Sequence, residues 1–587
     1  MKQIGVLFAL LVGLALGANR VETQPAGASL TGTVTSQAEG RMEGVLVTAQ
    51  PEGSTVTTTV VTDAQGQYRF PQNRLAPGKY AVTVRASGFE LPAPTSAAVT
   101  TGTSRLDLKL NSVTDKMKLA SHLTSTEWFQ SWPGTDEDKN LFLRHAVHCG
   151  QCHTAEYVAR SRYSEQEWLP VMHRMAGYDA DRSSGIKGSR AQLLGGTPRP
   201  KDKVDAYGNE YGTWWSRPMG LMAKYAATVN LSGGKTTWPY ELKRLPRPKG
   251  RGTRVVVTVY PIPRDKSSVH DLDVDSKGNV WYGNSSWDYI GKLDPKTGKW
   301  SEYPIPPRGG EAVALDVAVK TEKGPQHVQG IGDVAVDPLD VLWTGGGTRF
   351  DTKTEKWVNL PKGQGCGGFW AHVIPTLDTL WAGPCRVNYK TGETRRYERF
   401  KPGIGGLFTY EGSPAGPHRA YQTERDSKDN GYINDWGALW WTPGESHHVI
   451  KIDGTTGVAK FIRTPTAKSF PRRGAMDPQD RFWFGEFWGD NLGVFDVKTE
   501  RIEEIPLGIK FAFPYFARPD KNGEIWVSNI GTDRVMRFNP KTREMSHYLM
   551  PVYYDARKVV ADPTTKNVTI WLPNKNLGQL IRIEPLD

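Results

Sequence analysis

The chain has 587 residues, a formal net charge of +12 at pH 7 and a pI near 9.2. This length exceeds what a single hydrophobic core usually supports, so several domains are expected. The 62 Gly, 40 Pro and 20 Trp favour short strands and turns over a helical protein. The basic residues are spread along the chain. Their charge therefore suits an acidic partner protein or an anionic surface and does not indicate nucleic-acid binding.

Residues 1–18 have the pattern of a secretory signal peptide. Lys2 precedes an apolar run from Ile4 to Leu16, and residues 15–17 offer small side chains for cleavage. The run is short for a bilayer span, so an uncleaved anchor is the alternative. We therefore expect a periplasmic or secreted protein without a stable membrane span.

Residues 28–110 alternate Thr and Val with apolar residues in short runs separated by turns, which predicts a small antiparallel β-sandwich. The order Gly32-x-Val34, then Thr62-Asp-x-x-Gly-x-Tyr68, resembles the carboxypeptidase regulatory-like domain. The resemblance implies a spacing or docking role. A carbohydrate ligand is the alternative, because related carbohydrate-binding-like folds exist.

Cys149, Cys152 and His153 form a Cys-x-x-Cys-His motif, which is the attachment site of a c-type haem. In such a site both thiols bind the haem covalently and the imidazole is the proximal ligand of the iron. The alternatives are a structural disulfide or half of a zinc site, but zinc requires a second pair of ligands nearby. The motif therefore predicts one covalent haem c and electron transfer.

Residues 135–232 carry helical patterns on both sides of this motif. Ser164 and Glu167 form a capping box at the start of one predicted helix. Residues 221–231 predict a terminal helix that can pack against the helix preceding Cys149. This order resembles a class I cytochrome c and implies a small all-α cytochrome c domain.

The sixth ligand of the haem iron is predicted among the methionines. In short cytochromes that resemble this segment, Glu-x-x-Trp and then Arg-Met follow the attachment site. The matching residues here are Glu165 to Trp168 and Arg174-Met175, so the resemblance favours Met175 as the distal ligand. Met219 is the alternative, and the remaining candidates are Met172, Met222 and His173.

Residues 233–252 are rich in Pro and basic residues and predict an extended linker. From residue 253 to residue 587 a Trp in an apolar strand recurs about every 43 residues and is followed by a turn such as Asp294-Pro-Lys-Thr-Gly298. Seven copies predict a seven-bladed β-propeller, and residues 254–263 are predicted to complete the last blade and close the ring. The seven positions are Trp281, Trp343, Trp381, Trp440, Trp483, Trp526 and Trp571.

The two remaining cysteines are Cys366 and Cys385. Both fall within one predicted blade. In an oxidising compartment, this placement predicts a disulfide between them.

The segment from Asp480 to Glu486 resembles the repeat of virginiamycin B lyase-like propellers. That family opens a lactone ester by elimination with a His base and carboxylate-bound Mg²⁺, but no blade here has the full arrangement. Glu486 has Arg472 at the base position, and His270 has Asn284 in place of the carboxylate. The resemblance thus implies the fold more firmly than the reaction. The sequence does not decide whether the propeller binds a Mg²⁺ or Ca²⁺ ion. The candidate catalytic residues are His270, His447, Arg472 and Glu486.

Together these patterns predict a mainly β multidomain protein with a β-sandwich, a small all-α cytochrome c domain and a seven-bladed propeller. The predicted function is electron transfer by an exported monohaem cytochrome, whose propeller docks a redox partner protein or a small-molecule or carbohydrate ligand. The alternative is a propeller enzyme, either a quinohaemoprotein-like oxidoreductase or a lyase of the virginiamycin B lyase type. A haem favours the oxidoreductase, because an elimination moves no electrons.

Overall fold

The computed structural model is mainly β, with short helices between residues 116 and 229. Among the residues that it describes, no helix is long and apolar enough to cross a membrane. These residues are 29–72, 74–146, 154–172, 219–287, 289–305, 319–321, 324–326, 332–344, 348–358, 379–388, 391, 393–402, 407–413, 418–435 and 447–587.

The first ten strands form a β-sandwich around a core that includes Leu30, Val34, Tyr68 and Tyr80. They are β1 (Ser29–Ser36), β2 (Gly40–Arg41), β3 (Leu46–Pro51), β4 (Thr57–Val61), β5 (Gln67–Arg69), β6 (Gly78–Arg85), β7 (Phe89–Glu90), β8 (Thr95–Val99), β9 (Thr103–Arg105) and β10 (Leu108–Ser112). One layer is centred on β1 and the other has the order β4-β3-β6-β8. The layers are not wholly antiparallel as predicted, because β1 pairs in parallel with β9 and β10.

Six short helices follow in the described part of the chain. They are α1 (Lys116–Ala120), α2 (Ser125–Ser131), α3 (Asp136–Ala146), α4 (Glu156–Arg160), α5 (165–172) and α6 (Met219–Val229). The predicted capping box is confirmed, because the Ser164 N–H donates to Glu167 at 2.8 Å and the Glu167 N–H donates to Ser164 Oγ at 3.3 Å. Helices α3 and α6 pack together through Phe142 and Tyr225, whose ring centroids are 5.3 Å apart.

These helices do not form the separate all-α cytochrome c domain that the sequence predicted. Trp128 and Phe142 belong to the same hydrophobic cluster as Phe511 and Phe513 of the propeller. The hydroxyl of Thr126 in α2 also donates to the carbonyl of Phe511 at 2.7 Å. Such short helices depend on tertiary packing of their apolar faces. They bury those faces against the propeller, so the two parts share one core.

The remaining strands build a propeller-like region of antiparallel sheets in chain order. The first four sheets contain β12 (Val269–Val274), β13 (Val280–Asn284), β14 (Tyr289–Asp294) and β15 (Lys299–Pro304); β18 (Val334–Val336), β19 (Val341–Thr344), β20 (Arg349–Asp351) and β21 (Lys356–Val358); β22 (Thr379–Ala382), β23 (Cys385–Asn388) and β24 (Thr394–Arg396); and β27 (His418–Arg425), β28 (Gly431–Asp435), β29 (His448–Ile452) and β30 (Ala459–Arg463). Two hairpins lie between them, β16 (Val319–Thr321) with β17 (Gly324–Gln326) and β25 (Phe400–Pro402) with β26 (Leu407–Tyr410).

Three further blades complete the ring, which makes seven blades in the described part of the chain. The first two of these three join into one eight-stranded sheet through the pair Arg473–Phe516. The three blades contain β31 (Pro471–Met476), β32 (Arg481–Glu486), β33 (Asn491–Asp496) and β34 (Arg501–Pro506); β35 (Pro514–Pro519), β36 (Ile525–Asn529), β37 (Arg534–Phe538) and β38 (Met545–Leu549); and β39 (Val560–Ala561), β40 (Ile570–Asn574) and β41 (Gln579–Pro585) with β11 (Val255–Pro261).

The predicted closure of the ring by residues 254–263 is confirmed, because β11 pairs antiparallel with β41 from Val255 to Pro261. On its other side β11 pairs with β4 of the sandwich, with Val256 opposite Val60. The seventh sheet therefore continues into the sandwich in the order β39-β40-β41-β11-β4-β3-β6-β8. Pairing on both sides leaves β11 without an open edge.

A recurring aspartate explains the Trp repeat. Asp275 accepts two backbone N–H groups of its own turn, and its second oxygen accepts the indole N–H of Trp281 at 2.9 Å. In the fourth sheet the hydroxyl of Tyr432 makes this bond to Asp426 at 2.7 Å. Tyr432 thus occupies the position that the sequence assigned to Trp440, which lies outside the described residues. The other pairs of this type are Asp337–Trp343, Asp477–Trp483, Asp520–Trp526 and Asp562–Trp571.

Candidate functional site

Charged and aromatic side chains converge where the inner strands of the propeller begin. Arg473 in the fifth sheet donates two hydrogen bonds to Asp271 in the first sheet, at 2.7 and 2.8 Å. Because these sheets are not neighbours in the ring, the contact crosses the ring axis. We name this group the central cluster. Its members are His270, Asp271, Asp333, Tyr421, Arg472, Arg473, Tyr515 and Arg557.

The pair formed by Asp271 and Arg473 is the electrostatic core of the cluster. Their side chains are 1% and 2% exposed. Burial alone would raise the pKa of Asp271, but the charge and hydrogen bonds of Arg473, together with His270, keep the pKa of this carboxyl well below its ordinary value. Asp271 is therefore ionised at neutral pH, and Arg473 balances its charge.

His270 is hydrogen-bonded on both sides of its ring. Its Nδ1 lies 2.9 Å from Asp271 Oδ1 and 3.2 Å from Asp333 Oδ1, and its Nε2 lies 3.3 Å from the hydroxyl of Tyr515. An Nδ1–H that donates to a carboxylate leaves Nε2 to accept a proton. Burial raises the pKa of Asp333 to about 6, so this group can also hold a proton near neutral pH. The arrangement suits acid–base chemistry.

His270, Asp271 and Asp333 also offer the kind of ligand atoms that bind metal ions. Ligand atoms of His270, Asp271 and Asp333 lie within 4.8 Å of one another. However, Arg473 donates to both oxygens of Asp271, so a divalent cation would lie directly against a guanidinium. This donor set fits a shared proton and does not fit the Mg²⁺ or Ca²⁺ ion that the sequence left open.

Arg472 is fully buried and surrounded by aromatic rings. Its guanidinium carbon lies 4.0 Å from the ring centroid of Phe487, 4.4 Å from that of Tyr515 and 5.3 Å from that of Tyr421. Burial lowers the pKa of Arg472 to about 9, so the side chain stays charged at pH 7 and cannot act as the base. Its cation–π contacts instead hold Tyr515 beside His270.

The other two predicted catalytic residues lie elsewhere. His447 stacks on His448 in the fourth sheet with ring centroids 4.5 Å apart, and burial lowers the pKa of both imidazoles. Glu486 ends β32 and accepts a hydrogen bond from Asn491 at 3.2 Å. In the described part of the chain, neither His447 nor Glu486 forms a hydrogen bond or ring contact with the central cluster. The structure therefore brings together only His270 and Arg472 of the four candidates.

Glu486 leads to a prediction about stability. Burial raises its pKa to about 9, and the nearby Glu504 contributes. The folded chain keeps this proton above pH 4.5 and up to about pH 9, whereas the unfolded chain releases it, so the free energy of unfolding falls as pH rises through this range. Replacing the neutral acid by an isosteric amide, Glu486→Gln, is expected to raise the free energy of unfolding at pH 8 by about 1–3 kcal/mol. Urea unfolding at pH 5 and pH 8 measures the effect, with the exposed Glu503→Gln as control. An equal response of the two variants would contradict the buried protonated state.

Aromatic rings connect the helices to the central cluster. Phe129 of α2 lies 5.9 Å from Phe513, which lies 5.3 Å from Phe487. Phe487 in turn lies 6.2 Å from Tyr515, the partner of His270. At the other end, Trp132 contacts both Phe129 at 5.1 Å and Phe142 of α3 at 5.7 Å. These distances are typical of packed aromatic pairs, so the contact is continuous from α3 to the ring axis.

The predicted haem attachment lies between α3 and α4. Cys149, Cys152 and His153 are outside the described residues, as is Met175, and the side chain of Met219 at the start of α6 is not described. The structure describes the chain on both sides of the motif. Helix α3 ends at residue 146, and the Ala155 N–H donates to Ser125 Oγ at 3.1 Å. The buried apolar side chains of these helices include Phe142, Leu143, Met172 and Met222.

Cys385 of β23 is disulfide-bonded. Its predicted partner, Cys366, is outside the described residues. The pairing of these two cysteines therefore stays a prediction, while the presence of a disulfide at Cys385 is a property of the structure.

Sequence reasoning missed Asp271, Asp333, Tyr421, Tyr515 and Arg557. The signal that identifies them is the recurring aspartate of the Trp repeat. His270 and Asp271 stand five and four residues before Asp275. The other members of the cluster occupy the same two places in their own repeats, namely Asp333 before Asp337, Tyr421 before Asp426, Arg472 and Arg473 before Asp477, Tyr515 before Asp520 and Arg557 before Asp562.

Residues 29–111 match the family model of the carboxypeptidase regulatory-like domain, which confirms the resemblance found in the sequence. The structure is similar to that of streptogramin B lyase, with 15% identity, a TM-score of 0.42 and coverage of 57% of this chain and 100% of that chain. It is also similar to a catalytically inactive virginiamycin B lyase from Staphylococcus aureus with quinupristin, with 15% identity, a TM-score of 0.43 and coverage of 56% and 99%.

A third similar structure is the calcium-binding protein regucalcin from Agrobacterium tumefaciens str. C58, with 11% identity, a TM-score of 0.32 and coverage of 55% of this chain and 95% of that chain. A search of the curated proteins found no match. At these identities the likeness to the solved structures concerns the fold alone.

Proposed function

We propose that this protein carries one haem c bound to Cys149 and Cys152, with His153 as an iron ligand, and exchanges electrons with a small molecule or partner protein bound over the central cluster. The observation that carries the proposal is the packing of the helices around the motif onto the propeller. Their aromatic contacts continue to Tyr515 in the cluster. When bound, a haem c supplies a one-electron redox centre.

The residues present suit such a group. The donor set of two thiols and an adjacent imidazole is the one that a covalent haem requires. The helices on either side bury Phe142, Met172 and Met222, and an apolar environment is one of the means by which a protein tunes a haem. The distal ligand of the iron is proposed from the sequence alone, with Met175 favoured and Met219 as the alternative.

The central cluster supports an oxidoreductase more than a lyase. Oxidation of a bound molecule releases protons as well as electrons, and His270 Nε2 is placed to accept a proton. Asp271 orients the imidazole through its Nδ1, while Arg473 fixes Asp271. Tyr515 can donate its hydroxyl proton to His270 or to a bound molecule.

The disulfide and the net charge support a cellular compartment and a class of partner. The disulfide at Cys385 supports an oxidising compartment, such as the periplasm or the extracellular space. The net charge of +12 supports an acidic redox partner, because opposite charges accelerate the encounter of two proteins. Both remain parts of this proposal.

The test is anaerobic reduction of the purified haem protein, produced together with a haem maturation system, by a panel of alcohols and sugars. Each two-electron oxidation should reduce two haem proteins, because one haem c accepts one electron. We expect the absorption spectrum to show reduction by at least one compound, and His270→Gln to slow it at least about tenfold through loss of the base. His547→Gln is the matched control, because His547 is a half-buried imidazole outside the cluster. Reduction by partner protein alone would assign the cluster a docking role, and equal rates in both variants would remove His270 from the reaction.

A further inference from the structure

We propose that a cavity at the junction of the sandwich, the helices and the propeller is a binding site for a small organic carboxylate. The cavity has a volume of about 360 Å³, within the range of sites for small organic ligands. Its walls come from all three parts of the chain. Ser87 belongs to the sandwich, His122 to the turn between α1 and α2, and Arg534 and Tyr553 to the propeller.

Arg534 is the cavity side chain that favours an anionic ligand. Its side chain is 5% exposed, and Nη2 donates to the carbonyl of Pro246 at 2.6 Å. Its Nε is buried without a hydrogen-bond partner, and no carboxylate of the described residues forms a salt bridge with it within 4.0 Å. Burial lowers the pKa of Arg534 to about 10, so the guanidinium is charged at pH 7. The charges of Glu127 and Asp533 act on Arg534 from a distance, but its buried Nε–H lacks an acceptor. A buried donor without a hydrogen bond is costly, which favours an oxyanion from solution.

The carboxylates in the cavity wall are already bonded to other donors. Glu127 accepts the backbone N–H groups of Thr124 and Leu245, at 2.7 and 2.6 Å. Asp533 is paired with Arg85. The third carboxylate, Glu156, is paired with Arg160 at 2.5 Å. These carboxylates are held by their own partners, so they do not compensate Arg534 by direct contact.

Two further features define the class of ligand. The hydroxyl of Ser87 is buried without a hydrogen-bond partner and supplies a second donor for an oxyanion. Phe89, Leu123 and Leu549 form apolar parts of the wall. A guanidinium and a hydroxyl beside apolar side chains suit a carboxylate with a short hydrocarbon chain better than inorganic phosphate, which offers no apolar surface.

The site is separate from the central cluster, and its wall includes Thr154, which directly follows His153 of the haem motif. A ligand bound here contacts the sandwich, the helices and the propeller at once. It stabilises their mutual arrangement by mass action, because it binds only when all three walls are in place. Ligand binding is therefore measurable as a rise in the unfolding temperature of the full chain.

The test is thermal unfolding of the full-length protein titrated with sodium butyrate, with sodium chloride and inorganic phosphate at equal ionic strength as reference salts. We expect butyrate to raise the unfolding temperature in a saturable way and to exceed both reference salts. Arg534→Gln should weaken binding at least about tenfold through loss of charge-assisted hydrogen bonds. Ser87→Met, which fills the cavity and keeps the guanidinium, should also abolish the saturable rise.

Arg543→Gln is the matched control, because Arg543 lies on an exposed part of the same sheet and should leave the butyrate response unchanged. If Arg534→Gln fails to fold, Ser87→Met alone decides the result. A response to butyrate no larger than the response to chloride would overturn the proposal. A full butyrate response in Ser87→Met, or an equally saturable response to phosphate, would also overturn it.

Discussion

Replacing Arg473 by Met is expected to lower the free energy of unfolding by about 3–5 kcal/mol, because it leaves the carboxylate of Asp271 buried and uncompensated. The loss is larger than that of one hydrogen bond, because Arg473 holds both oxygens of Asp271 across the ring axis. Urea unfolding at pH 7, followed by tryptophan fluorescence, measures the change.

Two variants separate the buried charge from other effects of the substitution. Adding Asp271→Asn to Arg473→Met removes the uncompensated charge and should restore part of the lost stability. Arg543→Met removes an exposed pair in which the side chains of Arg543 and Glu503 are 52% and 55% exposed, so it should cost less than about 1 kcal/mol. Equal losses in Arg473→Met and Arg543→Met would show that the Asp271 pair does not bridge the ring.

Replacing both Cys149 and Cys152 by Ser is expected to abolish covalent haem attachment completely, because serine cannot form the thioether bonds. The denatured wild-type protein should carry the mass of one haem and its absorption bands, and the double variant should carry neither. Both proteins are produced together with a haem maturation system and measured by mass spectrometry after denaturation.

Cys385→Ser is the control for this experiment. It removes a disulfide in the propeller and should leave the haem in place. Because the helices share their core with the propeller, unfolding of the double variant should also be followed, to separate loss of haem from loss of fold. A wild-type protein that is colourless and has the mass of the polypeptide alone would rule out the haem and with it the proposed electron transfer.

Local patterns explain why much of the propeller was predictable. The turn around Asp275 and the strand containing Trp281 lie within a few residues of each other. A short segment of sequence therefore determines the hydrogen bond between them. The closing strand was predictable because Tyr260-Pro-Ile-Pro263 repeats Tyr303-Pro-Ile-Pro306, the end of the outer strand of the first blade. The role of Tyr432 was not predicted, because the repeat was recognised by its Trp residues. A tyrosine hydroxyl can donate the same hydrogen bond to aspartate as an indole N–H.

The helices show the opposite case. Their capping and apolar periodicity were correctly predicted, as Ser164 and Glu167 show. Whether they build their own core depends on where their apolar faces dock, and no local pattern carries that information. The docking residues, Phe511 and Phe513, lie more than 280 residues further along the chain.

The sequence by itself determined the haem motif, the strand repeat, the sandwich and the strand that closes the ring, because each depends on residues close together in the chain or on repetition. Only the tertiary structure decided that the helices share a core with the propeller and that His270, Asp271 and Arg473 meet. Asp271 and Arg473 are 202 positions apart in the chain, and closing the ring brings them within 2.7 Å. Their contact depends on closure of the whole ring, which no single segment encodes.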